Sequence, residues 1–80
     1  MESLLSTLQN LQTKAFKKGV HAFDITTRHF SDGSRGISVS VFLAGDDSDG
    51  DYGAFYFYDF SSAFENLRIL NNLKAFIGED

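Results

Sequence analysis

Residues 37–43 read ISVSVFL, and their reading decides the fold. The alternation is strict. Ile37, Val39, Val41 and Leu43 take one side and Ser38, Ser40 and Phe42 the other, which is the period of a half-buried β-strand. Upstream lies SDGSRG (31–36), whose Asp, Gly and Ser residues favour a turn. Before it, VHAFDITTRHF (20–30) is rich in β-branched and aromatic residues and predicts a first strand. Downstream, AFYFYDF (54–60) predicts a third, with Phe55 and Phe57 on one face and Tyr56, Tyr58 and Phe60 on the other.

Helical patterns flank the strands. From Glu2 to Lys18, Leu4, Leu5, Leu8, Leu11, Ala15 and Phe16 fall within one arc at 100° per residue, opposite Ser6, Thr7, Asn10, Thr13, Lys14 and Lys17. Gly19 suits the left-handed C-terminal cap, and the lysines sit where the helix dipole favours positive charge. At the other end Ser62 and Glu65 have the spacing of a capping box. Leu67, Ile69, Leu70, Leu73, Phe76 and Ile77 then form an apolar face that runs up to Gly78.

The order helix, strand, strand, strand, helix with short connections predicts an antiparallel three-stranded meander centred on the second strand. Placing His29 opposite Ile37 and Leu43 opposite Phe55 brings Phe23, Ile25, Ile37, Val39, Val41, Leu43, Phe55 and Phe57 to one side. Both helices cover that side. The expected fold class is α+β, a two-layer sandwich, formed as a single domain over residues 1–80.

Composition narrows the function. Eighty residues make a small domain whose core is marginal, and the absence of cysteine excludes disulfides and thiolate metal sites. The formal charge is −4, and Asp46, Asp47, Asp49 and Asp51 account for it, leaving a balanced remainder. Such a balance argues against nucleic-acid binding through clustered Lys and Arg. No apolar run approaches the ~20 residues of a membrane span, and no leader pattern is visible, so a cytoplasmic protein without membrane contact is expected.

Asp46, Asp47, Asp49 and Asp51 are the candidate metal ligands, with calcium the cation that oxygen donors would take. Aligning Gly50 with the glycine of an EF-hand loop puts Asp47 and Asp49 on ligand positions. The same alignment puts Gly45 at the first ligand and Tyr56 at the final glutamate, so the pattern breaks. The favoured reading is a solvated connection whose charges discourage strand-edge association, with no cofactor.

Catalysis finds no support in the residues. His21 and His29 lie eight residues apart, ~26 Å along a strand, and neither sits in a nucleophile or metal motif. No catalytic residue is assigned and no enzyme is expected. Asp59 shares the inward parity of Phe57 and is expected to turn back and hydrogen-bond the start of the second helix.

The element order resembles that of double-stranded-RNA-binding domains, which also lay two helices on a three-stranded antiparallel sheet. That family opens its second helix with lysines that grip phosphates. The corresponding residues are Ser61, Ser62, Ala63, Phe64 and Glu65, with no lysine among them. The resemblance therefore implies the fold and not the RNA contact.

What asks for an explanation is the outer face. Asp24, Thr26, Arg28, Ser38 and Ser40 are ordinary for a face in water, but Phe42, Tyr56, Tyr58 and Phe60 join them, with Phe30 nearby. An aromatic patch of this kind marks an interface more often than a single stabilising pair. The expectation is a small non-catalytic protein-interaction module using Phe42, Tyr56, Tyr58, Phe60 and Arg28, its partner a second copy (a homodimer) or an unidentified protein. The alternative is calcium or another ligand on the loop 46–51.

Overall fold

The computed structural model describes residues 2–43 and 52–79, so the aspartate-rich connection lies outside the described residues. Its elements are α1 (Glu2–Lys17), β1 (Ala22–His29), β2 (Arg35–Phe42), β3 (Tyr52–Tyr58) and α2 (Ala63–Phe76). They form an open antiparallel sheet in the order β1-β2-β3, with both helices on one face. The expected α+β architecture is what the chain adopts.

Each helix ends as its glycine dictates. Gly19 has φ +91° and Gly78 φ +75°. In α1, Gly19 N–H donates to the Phe16 carbonyl and Val20 N–H to that of Ala15; in α2, Gly78 donates to Ala75 and Glu79 to Lys74. Both are Schellman closures, which occupy carbonyls the helix cannot use itself. At the start of α2, Ser62 Oγ accepts from Glu65 N–H at 3.1 Å. The reciprocal half of the expected capping box is replaced, because the Glu65 carboxylate pairs with Arg68.

The helices run parallel to each other. Gln12 Nε2 of α1 donates to the Phe23 carbonyl near the start of β1, while Glu2 and Leu5 lie near its end. Asn66 Nδ2 of α2 donates to the Tyr58 carbonyl at the end of β3, and Phe76 packs over Gly53 at its beginning. Each helix is thus antiparallel to the outer strand it covers, and the two negative helix ends come together. Lys14 and Lys18 sit there, 3.6 and 3.2 Å from the Glu79 carboxylate, and Lys18 Nζ also donates to the Gly78 carbonyl.

The core is Leu8, Leu11 and Ala15 of α1, Phe23, Ile37, Val39, Val41 and Phe57 of the sheet, and Leu70, Leu73 and Ile77 at the other helix. Two residues assigned to the apolar helix faces are instead half-exposed, Phe16 and Leu67. Each helix covers one outer strand, so the edge of its apolar arc overhangs the sheet.

Register differs from expectation by an even step in each pair. Thr27, not His29, faces Ile37, and Val39, not Leu43, faces Phe55. The reason is that β2 and β3 begin two residues earlier than their apolar runs, with Gly53 inside β3 rather than in the connection. A Cβ at Gly53 would lie 3.0 Å from both the Phe55 and the Phe76 rings, so glycine admits the helix there. An even slip keeps every side chain on its expected face.

Candidate interaction surface

The register builds the outer face in four cross-strand rows. They are Ala22–Phe42–Tyr52, Asp24–Ser40–Ala54, Thr26–Ser38–Tyr56 and Arg28–Gly36–Tyr58. Neither helix covers this side of the sheet. Phe42 and Tyr56, expected to lie opposite each other, are therefore separated: Phe42 faces Tyr52 and Tyr56 faces Ser38.

The aromatics gather at the two ends of the face. At one end the Phe42 and Tyr52 rings are tilted with centroids 4.6 Å apart. At the other, Tyr58 and Phe60 stack at 4.8 Å with planes 15° apart, and Phe30 approaches them at 6.1 and 6.5 Å. Offset and tilted contacts at these distances are the favourable ring geometries. Tyr56 stands between the clusters. Tyr52 was missed in the sequence because Gly53 reads as a loop; extending the alternation of Ala54, Tyr56 and Tyr58 back by one step recovers it.

Packing half-buries Tyr58, expected to be exposed, but leaves the other rings open. Phe30 is 36% exposed, Phe42 43%, Tyr52 53%, Tyr56 47% and Phe60 68%. With ~150–250 Å² per aromatic side chain, the exposed portions amount to roughly 500 Å². Arg28 and Asp24 are exposed on the same face, and neither forms an ion pair among the described residues.

Asp59 is a correction. Its carboxylate accepts from Arg35 N–H at 2.9 Å and its own N–H donates to the Arg35 carbonyl at 3.1 Å. It closes the end of the β2–β3 ladder rather than the start of α2. In the β1–β2 turn, Asp32 accepts from the hydroxyl and N–H of Ser34 at 2.6 and 2.9 Å, which holds its carboxyl below the ordinary range. Glu65 is lowered in the same sense by the hydrogen bond and charge of Arg68.

His21 precedes β1 and His29 ends it, so the two imidazoles occupy opposite ends of the strand. Among the described residues no group of three or more histidine, aspartate and glutamate side chains is placed to hold a metal, and no helix is long and apolar enough to cross a membrane. Asp46, Asp47, Asp49 and Asp51 lie outside the described residues. No family model, curated protein or solved structure matches the chain.

Proposed function

We propose that this chain is a small non-catalytic interaction module that self-associates through the outer face of its sheet. The observation that carries the reading is the exposure of Phe42, Tyr52, Tyr56 and Phe60 on a face that no helix of the chain covers. A stable interface takes about 800 Å² from each partner, and the exposed aromatic area of roughly 500 Å² supplies more than half of it. A second copy suits the face because it carries both signs, Asp24 and Arg28, on one strand. Two-fold packing of a patch on itself brings opposite charges within reach and closes the assembly. Tyrosine also fits such a place, its ring burying while its hydroxyl reaches the rim.

Nuclear magnetic resonance on a dilution series tests this. The ring signals of Phe42, Tyr52, Tyr58 and Phe60 should shift with concentration, while those of Phe16 and Phe64, exposed on the helices, stay fixed. Shifts confined to the helix residues would move the interface to the opposite layer, and no shift up to millimolar concentration would remove self-association.

A further inference from the structure

The sheet has two open edges, and they are not alike. β1 carries Asp24, Arg28 and His29, and Gln12 Nε2 occupies its Phe23 carbonyl at 2.6 Å. Charges and covering side chains are how native edges are kept from pairing. β3 itself reads Tyr-Gly-Ala-Phe-Tyr-Phe-Tyr, with no charge and no proline. The aspartates expected to discourage edge association all precede it in the sequence, so they leave the strand's own seven residues uncharged. A seven-residue strand of that composition, left open, is a template for another strand.

The hydrogen-bond phase shows which groups are offered. Asp59 N–H donates to the Arg35 carbonyl, so alternation along the antiparallel ladder turns Phe57, Phe55 and Gly53 towards β2. Tyr52, Ala54, Tyr56 and Tyr58 then point their N–H and C=O groups away from it. Tyr58 confirms the phase, because its carbonyl accepts from Ser61 N–H at 3.2 Å and Asn66 Nδ2 at 3.0 Å, both outside the sheet. That carbonyl is taken. Those of Tyr52, Ala54 and Tyr56 have no partner among the described residues, and Ala54 and Tyr56 border a cleft of about 530 Å³ walled by Ile69 and Asn72 of α2.

We infer that β3 pairs with β3 of a second copy, antiparallel, about a two-fold axis at Ala54. This register is the one that uses the groups on offer. Ala54 exchanges both backbone bonds with its own copy, Tyr52 exchanges both with Tyr56 of the other chain, and the occupied Tyr58 carbonyl is not required. Registers centred at Phe55 or Tyr56 need that carbonyl. The small Ala54 side chain on the axis lets the flanking Tyr52–Tyr56 pairs meet on the outer face, where cross-strand aromatic pairs stabilise a sheet. The two sheets become one. This contact goes beyond the outer-face reading and uses different atoms, backbone groups at an edge rather than rings on a face.

Amide exchange tests it. In the associated protein the N–H groups of Tyr52, Ala54 and Tyr56 should exchange at least tenfold more slowly than after dilution to monomer. Those of Phe55 and Phe57, bonded to β2, should change much less. Ala54→Pro removes one edge donor without touching the β2–β3 ladder, and it should lower the solution mass and release Tyr52 and Tyr56. Fast exchange of the three amides at concentrations where the protein is associated would overturn the edge pairing, whether or not the proline variant folds. The variant Phe42→Ser/Phe60→Ser separates the two contacts. If it abolishes association while the edge amides had exchanged fast throughout, the face stands and the edge falls. If its mass equals the wild type's and its edge amides stay slow, the edge stands and the face falls.

Discussion

Tyr58 lies directly across the sheet from Gly36, and its ring covers that glycine so closely that a Cβ there would sit 3.0 Å from the ring. The phase of the ladder makes this a non-hydrogen-bonded pair, the closer of the two kinds. An aromatic ring over a strand glycine replaces the packing that the missing side chain would have given. The same ring then supports Phe60 on the face that the proposed function uses. Gly36→Ala should push Tyr58 off its seat and destabilise the fold by about 1–2 kcal/mol, the overpacking term outweighing the smaller gain from a stiffer unfolded chain. A denaturation midpoint equal to or above that of the wild type would show that the ring moves without loss.

The core and the overhanging helix residues should respond differently. Leu73 is fully buried between α2 and the sheet, whereas Phe64 in the first turn of α2 is 76% exposed. Leu73→Ala should lower stability by about 2–5 kcal/mol, a large share of what a small domain has. Phe64→Ala should stay within about 0.5 kcal/mol of the wild type. Urea unfolding of both variants checks the assignment, and comparable losses would mean that Phe64 packs where the fold leaves it open.

Glu79 links the two helix ends. The hydrogen bond from Lys18 lowers its carboxyl below the ordinary range, with the charges of Lys18 and Lys14 acting in the same sense. Because the folded-state value is depressed, the stabilisation is present above the unfolded-state value and is lost as the pH falls through the folded one. Glu79→Gln should therefore melt below the wild type at neutral pH, by a small amount for so exposed a cluster, and match it once the carboxylates are protonated. High salt should shrink the difference. A gap that widens on acidification would contradict the pairing.

For the connection 46–51 the expected outcome is insensitivity to calcium. The aspartates do not align with an EF-hand ligand set. Millimolar calcium should leave the thermal midpoint unchanged, as should Asp47, Asp49 and Asp51→Asn in its presence. A rise with calcium that the triple variant loses would restore the ligand-binding alternative.

Periodicity made the layers legible, and chemistry between distant residues was not. The alternation of Ile37, Val39 and Val41 and the helical arcs of Leu8–Leu11 and Leu70–Leu73 place the core, because burial follows the face and the face follows the period. Pairing register is different, since any even slip satisfies the same pattern. Between β2 and β3 the observed pairing takes in Gly53, a turn residue by composition and a strand residue by packing, since Phe55 and Phe76 occupy the space of its missing side chain. The role of Asp59 was illegible for a related reason. Its partner Arg35 stands 24 positions away, and only the register brings the two together. On the outer face the alternation places Phe42, Tyr56 and Tyr58, while Tyr52 and the division of the rings into two clusters depended on the same register.

The most direct test of self-association through the outer face is the mass in solution, by sedimentation equilibrium, of the wild type and of Phe42→Ser/Phe60→Ser. Those substitutions remove one ring from each aromatic cluster and leave the β3 backbone untouched. The wild type should sediment above the 8.9 kDa of one chain at micromolar concentration, and the variant should be smaller while keeping its circular dichroism. Equal masses for the two, at any concentration at which the wild type is associated, would contradict the outer face as the interface.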